Sequence, residues 1–477
     1  MSIRRRTLAA AILPVVAASM IGLTVTLPAQ AGPEPGASVQ AQDDLVDRLE
    51  AAPGVTVVSE EAVPAPGYRF FFLTMRQLVD HTNPQGPTFE QRFQLLHRDT
   101  PRPMILHTTG YNMPEGAFRS EPTTLVDGNQ ISVEQRFFSP SRPNPADWRK
   151  LNIWQAATDH HKIVKALKPI YSAKWISTGA SKGGMTSVYH RRFYPRDVDG
   201  VVAYVAPNDA DNKQDKAYDD FFASVGSTPA CRTALKNLQK EALSRRTEMV
   251  NLYDQYAAAN DLHFDQVFGS TDKAFEMTVL DTEWAFWQYS SEADCGAVPT
   301  GAATDQEIFD FIDSVAGFSF YADEGILFYS PYYFQAATQL GWPQPKFRYL
   351  KDLLHYPNLY VANSSLPEEL RSKHDPWPIA DVDRWVRKDA SQMLFVYGSA
   401  DPWGAEPFHP SNKDSYTYTA PGANHGANIA KLGATEKAAA TATLLRWAGL
   451  SAAPTAQRSA AVETLDKRDP RNIRRPL

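Results

Sequence analysis

The chain has 477 residues, 43% of them hydrophobic and 21% charged, with a net charge of −6. Such a composition suits a packed globular core and excludes a disordered chain. The acidic balance argues against nucleic acid or an anionic membrane as partner.

At the N-terminus, Arg4, Arg5 and Arg6 precede an almost wholly apolar run from Leu8 to Leu27, and Ala29-Gln30-Ala31 offers a small-x-small cleavage site. This is the pattern of a secretory signal peptide over residues 1–31. The run approaches membrane-spanning length, so an anchor competes with that reading. Pro14 interrupts the run and a cleavage site follows it, which favours the signal. The adjacent arginines match a twin-arginine signal loosely. Cleavage removes three arginines and no acid, taking the net charge from −6 to −9. No later segment is apolar enough to span a bilayer, so secretion without stable membrane association is expected. Residues 32–62, rich in Ala, Pro, Gly and acids, read as a linker or pro-segment.

From residue 63 to 208 strands and helices alternate. Strands are expected at Tyr68–Leu78, Gln91–His97, Met104–Thr109, Gln130–Phe138, Trp175–Thr178 and Gly200–Ala206, with helices at Leu151–Ala166 and residues 182–193. This order is that of an α/β sheet. Residues 209–390 break the pattern. Thr233–Ala259 and Asp272–Tyr289 have helical spacing, Thr304 to Glu307 fits a capping box, and Asp323–Leu340 is dense in aromatics. We read this stretch as a mostly helical cap inserted between two halves of the sheet. The α/β pattern returns over 391–450, with strands at Met393–Tyr397 and Ser415–Thr419 and a helix at Glu436–Trp447. Residues 451–477 form a polar tail, loose or strapped to the surface.

Cys231 and Cys295 are the only cysteines. Export makes a disulfide between them plausible, and two buried free thiols are the alternative. Their long separation does not suggest a metal site.

The strongest local motif is Gly179-Ala180-Ser181-Lys182-Gly183-Gly184, a G-x-S-x-G between a strand and a helix. There the serine sits on a sharp, strained turn that lifts its hydroxyl above the sheet, and neighbouring side chains would clash. This identifies an α/β-hydrolase fold with Ser181 as nucleophile. A hydroxyl needs a base, and the base an orienting acid, in the chain order serine, acid, histidine. Asp401 follows the strand at Met393–Tyr397, and His425 follows the next strand between glycines. Asp401 as a plain turn residue, and His409 in place of His425, are the competing assignments. The oxyanion hole takes the backbone N–H of Lys182 and that of Tyr111, with Gly110 beside it, after the strand ending near Thr109. A plain glycine turn is the alternative at Gly110.

Residues 177–186 with Arg191-Arg192-Phe193-Tyr194-Pro195 resemble the nucleophile region of bacterial secreted prolyl tri/tetrapeptidyl aminopeptidases. Val133 to Phe138, Asp147-Trp148 and Gln155-Ala156-Ala157 resemble the same family's upstream block, which is shared with prolyl carboxypeptidases and dipeptidyl peptidases. Phe395–Gly404 and Gly422–Gly426 match its acid and histidine blocks. Gln135 departs from the pattern, where related sequences often have histidine. The resemblance spans roughly residues 65–450. It implies a cofactor-free, metal-independent exported serine peptidase acting on peptide substrates. Such an enzyme releases tripeptides, sometimes tetrapeptides, from free N-termini and favours proline before the cut. It also implies Ser181, Asp401 and His425 as the triad.

An aminopeptidase must hold an ammonium group, which calls for a carboxylate in a partly desolvated site. Glu134, Glu283 and Glu324 are the candidates; each also reads as an ordinary structural or surface carboxylate. A proline pocket wants flat aromatic walls. Trp284, Phe286, Trp287, Phe328, Tyr329, Tyr332, Tyr333 and Phe334 offer them, with helix packing as the other reading. Two rivals stand beside the peptidase. One is a secreted esterase or lipase using the same triad, and the other a non-catalytic binding protein on the same scaffold.

Overall fold

The computed structural model describes residues 44–213, 215–454 and 460–468. The signal peptide expected over residues 1–31 lies outside them. The chain divides into Met1–Leu45 and Val46–Leu477. Of the first unit only Asp44 and Leu45 are described, and the whole sheet belongs to the second.

A nine-stranded sheet has the order β1-β2-β3-β5-β4-β6-β7-β8-β9. Its first three strands, β1 (Val55–Glu61), β2 (Arg69–Leu78) and β3 (Thr88–His97), are antiparallel, and β3 joins β5 (Asn129–Val133) antiparallel. From β5 onward all neighbours are parallel: β4 (Met104–Thr108), β6 (Trp175–Ala180), β7 (Gly200–Tyr204), β8 (Met393–Gly398) and β9 (Tyr416–Ala420). Every residue of β4, β7 and β8 is buried. That is why these strands read as continuous apolar runs, whereas β2 alternates. With helices α1 (Glu121–Val126), α2 (Ile153–Leu167) and α3 (Lys182–Phe193) between the strands, this is an α/β-hydrolase fold.

The linker expected over 32–62 does not extend to its end: Val55–Glu61 is the outermost strand, paired to β2. The acids and glycine around it hide its Val-Thr-Val-Val core. The strand expected to reach Phe138 stops at Val133. There Glu134 turns its side chain inward onto Arg92 and Ser141, and Phe137 takes φ 74°.

Between β7 and β8 the described residues form helices and turns. These include α4 (Lys216–Ser224), α5 (Pro229–Ser244), α6 (Arg246–Asn260), α7 (Thr271–Tyr289), α8 (Asp305–Val315) and α9 (Trp377–Lys388). The single helix expected over 233–259 is two. At the break the Arg245 guanidinium donates to Gly301 O and Ala303 O, both at 2.7 Å. The capping box at Thr304 is formed in both directions with Glu307. The helices share a core that reaches Tyr111, Phe138 and Trp403 on loops of the sheet. On one face of the sheet, α10 (Ala434–Trp447) packs Leu444 and Trp447 with Ile176, Val202 and Leu394. The tail carries α11 (Ala460–Lys467), with Leu465 buried and Asp466 paired to Arg119 at 2.7 Å, so this part is strapped to the surface. No helix of the described residues is long and apolar enough to cross a membrane.

Cys231 and Cys295 form a disulfide, Cα to Cα 5.4 Å, that ties α5 to the turn after α7. Closing a 64-residue separation is worth about 4 kcal/mol by the chain-entropy estimate. Replacing both cysteines by alanine is expected to lower the unfolding free energy by about that amount. Denaturant titration of the oxidised wild type against the double variant measures it.

Candidate active site

The C-terminal ends of β6, β7, β8 and β9 lie side by side, since these strands are parallel neighbours. Ser181 stands between the end of β6 and the start of α3. Its backbone sits at φ 55°, ψ −130°, a region that costs about 1–3 kcal/mol for a residue with a side chain. Its N–H donates to Tyr204 O at 2.9 Å, and the helical ladder starts with Met185 N–H to Ser181 O at 3.0 Å. The flanking glycines are required by space. A Cβ on Gly179 would strike the Gly183 carbonyl, one on Gly183 would strike Thr108 O, and one on Gly184 would reach Ala206 Cβ at 2.9 Å.

Asp401 is buried, and its two oxygens have separate partners. Oδ1 accepts from Trp403 N–H at 3.1 Å, and Oδ2 meets His425 Nδ1 at 2.8 Å. It is thus both a turn residue and the partner of the histidine. Against an accepting carboxylate Nδ1 carries the proton, leaving the lone pair on Nε2. His425 is held from behind by its own N–H, which donates to Gln288 O at 3.1 Å. Nε2 is buried and makes no hydrogen bond, so Ser181 and His425 are not hydrogen-bonded to each other here. Such contacts often tighten only when substrate is bound. His409, the competing histidine, is exposed and faces Arg387 and Asp383 of α9.

Gly110, at φ 73°, lies against the start of α3, where a Cβ would come within 2.5 Å of Gly183 N. Lys182 is buried; its Nζ donates to Gly110 O at 2.5 Å and lies 5.6 Å from the centre of the Tyr111 ring. The Lys182 N–H stands in the first turn of α3, where backbone donors have no intrahelical acceptor. The Tyr111 N–H donates to Thr109 Oγ1 at 3.2 Å, so in this state it is engaged within its own loop.

The three expected anchor carboxylates differ sharply. Glu134 is fully committed to the fold. It accepts from Arg92 Nη2 and Ser141 Oγ at 2.6 Å each, and from Met113 N–H at 3.2 Å. Glu324 is exposed and pairs with His263 at 2.7 Å. Neither has the form of a buried anchor. Glu283 is buried; its Oε1 accepts no hydrogen bond but pairs with Lys236 Nζ at 4.0 Å, and its Oε2 accepts from Tyr349 Oη at 3.3 Å. It lines a cavity of about 460 Å3 with Phe222, Trp284 and Tyr349. Burial pushes its carboxyl up to about 7. Trp284 is buried between Tyr218 and Phe222 on one side and Trp403 on the other, at ring distances of 5.5, 5.5 and 4.9 Å. Tyr332 is buried against Tyr111, 5.5 Å away. Residues not foreseen are Trp403, whose ring stands 6.3 Å from His425, and Gln288, which accepts from both Trp403 Nε1 and His425 N. Trp403 is legible as part of the acid block; Gln288 carries no signal.

The sheet and the strained serine turn define a serine hydrolase scaffold of the α/β class. Residues 37–476 match the family model of PS-10 peptidase S37, and the chain belongs to that family. A prolyl tri/tetrapeptidyl aminopeptidase from Streptomyces mobaraensis is 52% identical over 420 residues, covering 87% of each chain. Among solved structures, a proline iminopeptidase from Mycobacterium smegmatis is similar at 14% identity and a TM-score of 0.41, covering 79% of this chain and 98% of that one. Carboxyl esterase 2 from Tuber melanosporum is similar at 12% and 0.32, covering 86% and 97%.

Two outcomes test this geometry. Gly110→Ala should cost about 100-fold in kcat/KM by displacing the start of α3; fluorophosphonate labelling and turnover at wild-type rates would show that the loop does not position the site. Glu283→Gln tests the buried carboxyl. A carboxyl raised from 4.5 to about 7 holds its proton better in the folded state, so it destabilises progressively as pH climbs through that window. The variant should match the wild type near pH 4.5 and exceed it in melting temperature at pH 8.

Proposed function

We propose that the protein is a secreted serine exopeptidase. It releases tripeptides, and in some cases tetrapeptides, from free peptide N-termini, favouring proline before the cut. The observation that carries the chemistry is the 2.8 Å Asp401–His425 contact on the same sheet edge as the strained Ser181. The substrate class is supported by membership of the peptidase S37 family and by the name of the Streptomyces mobaraensis relative.

In this reading His425 Nε2 takes the proton of Ser181 Oγ as the hydroxyl attacks the scissile carbonyl, and Asp401 fixes the imidazole tautomer. The Lys182 N–H stabilises the tetrahedral oxyanion, with the second donor from the Gly110–Tyr111 loop once that loop engages substrate. The protonated histidine gives its proton to the leaving amine, and water then frees the peptide from Ser181. The helical residues 209–390 form a cap over the sheet edge, admitting chain ends and excluding folded protein. Residues 1–31 act as a cleaved signal, and the Cys231–Cys295 disulfide fits an oxidising destination.

Ser181→Ala should lower turnover by about four to six orders of magnitude with the fold intact, and Asp401→Asn by about four. Product masses from a synthetic peptide with proline at its third position decide the substrate. An intact tripeptide is the expected product, and internal cleavage of folded protein would overturn the exopeptidase reading.

A further inference from the structure

The loop after β7 and the segment after Asp401 run together: Asn208 N–H donates to Glu406 O at 2.9 Å, and Pro207 bridges to Pro407. This junction buries Asp209, only 4% exposed, and neither of its carboxylate oxygens accepts a hydrogen bond. The Trp342 N–H faces the Asp209 carboxyl and eases its burial only weakly, because its short hydrogen bond goes to Asn212 Oδ1 at 2.6 Å. Gly341, at φ 85°, brings its main chain over the Asp209 carboxylate, where a Cβ would lie 2.7 Å from Oδ2. The Tyr218 hydroxyl is an independent sign. Its residue is wholly buried, its Oη has no partner, and the acids acting on it are, in order, Asp209, Glu406 and Asp215. Buried polar groups are nearly always paired, so an unpaired carboxylate and an unpaired hydroxyl within each other's electrostatic reach mark a site completed by something else.

We propose that Asp209, with Glu406 and the Tyr218 hydroxyl, is the anchor for the substrate's N-terminal ammonium group. This rests on the exopeptidase reading above and replaces the three glutamates the sequence points to. A primary ammonium has three donors and one positive charge, which matches two carboxylates and a hydroxyl that accepts. Without a cation both acids hold their protons more tightly than exposed carboxyls do. Burial and repulsion from Glu406 and Asp215 push Asp209 up to about 8, and burial beside Asp215 and Asp211 pushes Glu406 up to about 7. An arriving ammonium supplies the missing counter-charge. The reach is right as well. Trp342, next to Gly341, lies 6.2 Å from Trp403 ring to ring, and Trp403 lies 6.3 Å from His425. The Trp342 ring is therefore no farther from the histidine than those two steps combined, and three extended residues span about 10–11 Å. On the other side, Tyr218 is within the field of Tyr332, which packs on Tyr111 beside the nucleophile turn.

The experiment measures the ratio of kcat/KM for one peptide with proline third, N-terminus free against N-acetylated. Active sites are counted by fluorophosphonate titration. The wild type should favour the free peptide by about 100-fold, the loss expected when one member of a buried charge pair is removed. Asp209→Asn and Glu406→Gln should each collapse that ratio toward one through loss on the free peptide. A wild type with no preference overturns the exopeptidase reading itself. A wild type with the preference, and variants that keep it, overturn the anchor and leave the exopeptidase standing. Should Asp209→Asn fail to fold, Tyr218→Phe keeps the ring packing and removes only the hydroxyl. Its ratio should fall about 5–10-fold, and an unchanged ratio counts against the proposal.

Discussion

Two stretches of main chain cross at the C-terminal edge of the sheet with no side chain between them, and the site depends on that crossing. Thr108 to Gly110, leaving β4, lies directly on Gly179 to Gly184 around the serine turn, in space that a single Cβ at Gly110, Gly179 or Gly183 would fill. Thr108 Oγ1 fastens the two, 2.7 Å from both Gly183 O and Ser187 Oγ. The buried Lys182 adds a second tie by reaching back to Gly110 O. These bonds, and the one from Ser181 N–H to Tyr204 O, hold the serine in a backbone conformation it would otherwise leave. The strain is local and the restraint is distributed, so Ser181 and the helix N-terminus behind it are held in one arrangement by the fold itself.

The helical segment between β7 and β8 also restrains this edge. The C-terminal turn of α7 supplies Gln288, which accepts from the His425 N–H with its carbonyl and from Trp403 Nε1 with its side chain. Asn424, beside the histidine, donates to Ser290 O at 3.0 Å. The loops bearing Asp401 and His425 are thus both tied to one helix end from outside the sheet. The tautomer set by Asp401 and the ring position set by α7 are separate restraints on one imidazole. This is how a glycine-flanked loop can hold an imidazole in place.

Much of this is legible in the sequence, for identifiable reasons. The buried parallel strands announce themselves as apolar runs bounded by turns, and the G-x-S-x-G motif needs its place between β6 and α3 to mean anything. Asp401 and His425 follow from the order of strands. What is not legible depends on contacts between distant segments. Glu134 sits in a charged block and looks available, but Arg92, 42 residues earlier, claims it. Glu324 looks embedded among aromatics, yet its backbone turn carries it to the surface beside His263. The strand at Val55–Glu61 is hidden by composition, because an edge strand need bury only alternate residues.

Asp209 shows the converse failure. It lies in the acid-rich stretch Asn208-Asp209-Ala210-Asp211, which reads as an ordinary solvated loop. Only the fold shows that the first acid is carried inward, because Asn208 is pinned to Glu406 O and to Asp383 Oδ1. A sequence records which residues bear charge, but whether a charge has a partner is decided by the packing of segments hundreds of residues apart. A buried carboxylate without one is costly, and neither the core nor the triad contacts require it. The same packing sets Gly341 against Asp209, and from its neighbour Trp342 the rings of Trp403 and His425 follow at 6.2 and 6.3 Å. On the exopeptidase reading, the cost falls where a peptide's charged end, measured from the reacting carbonyl, would be received.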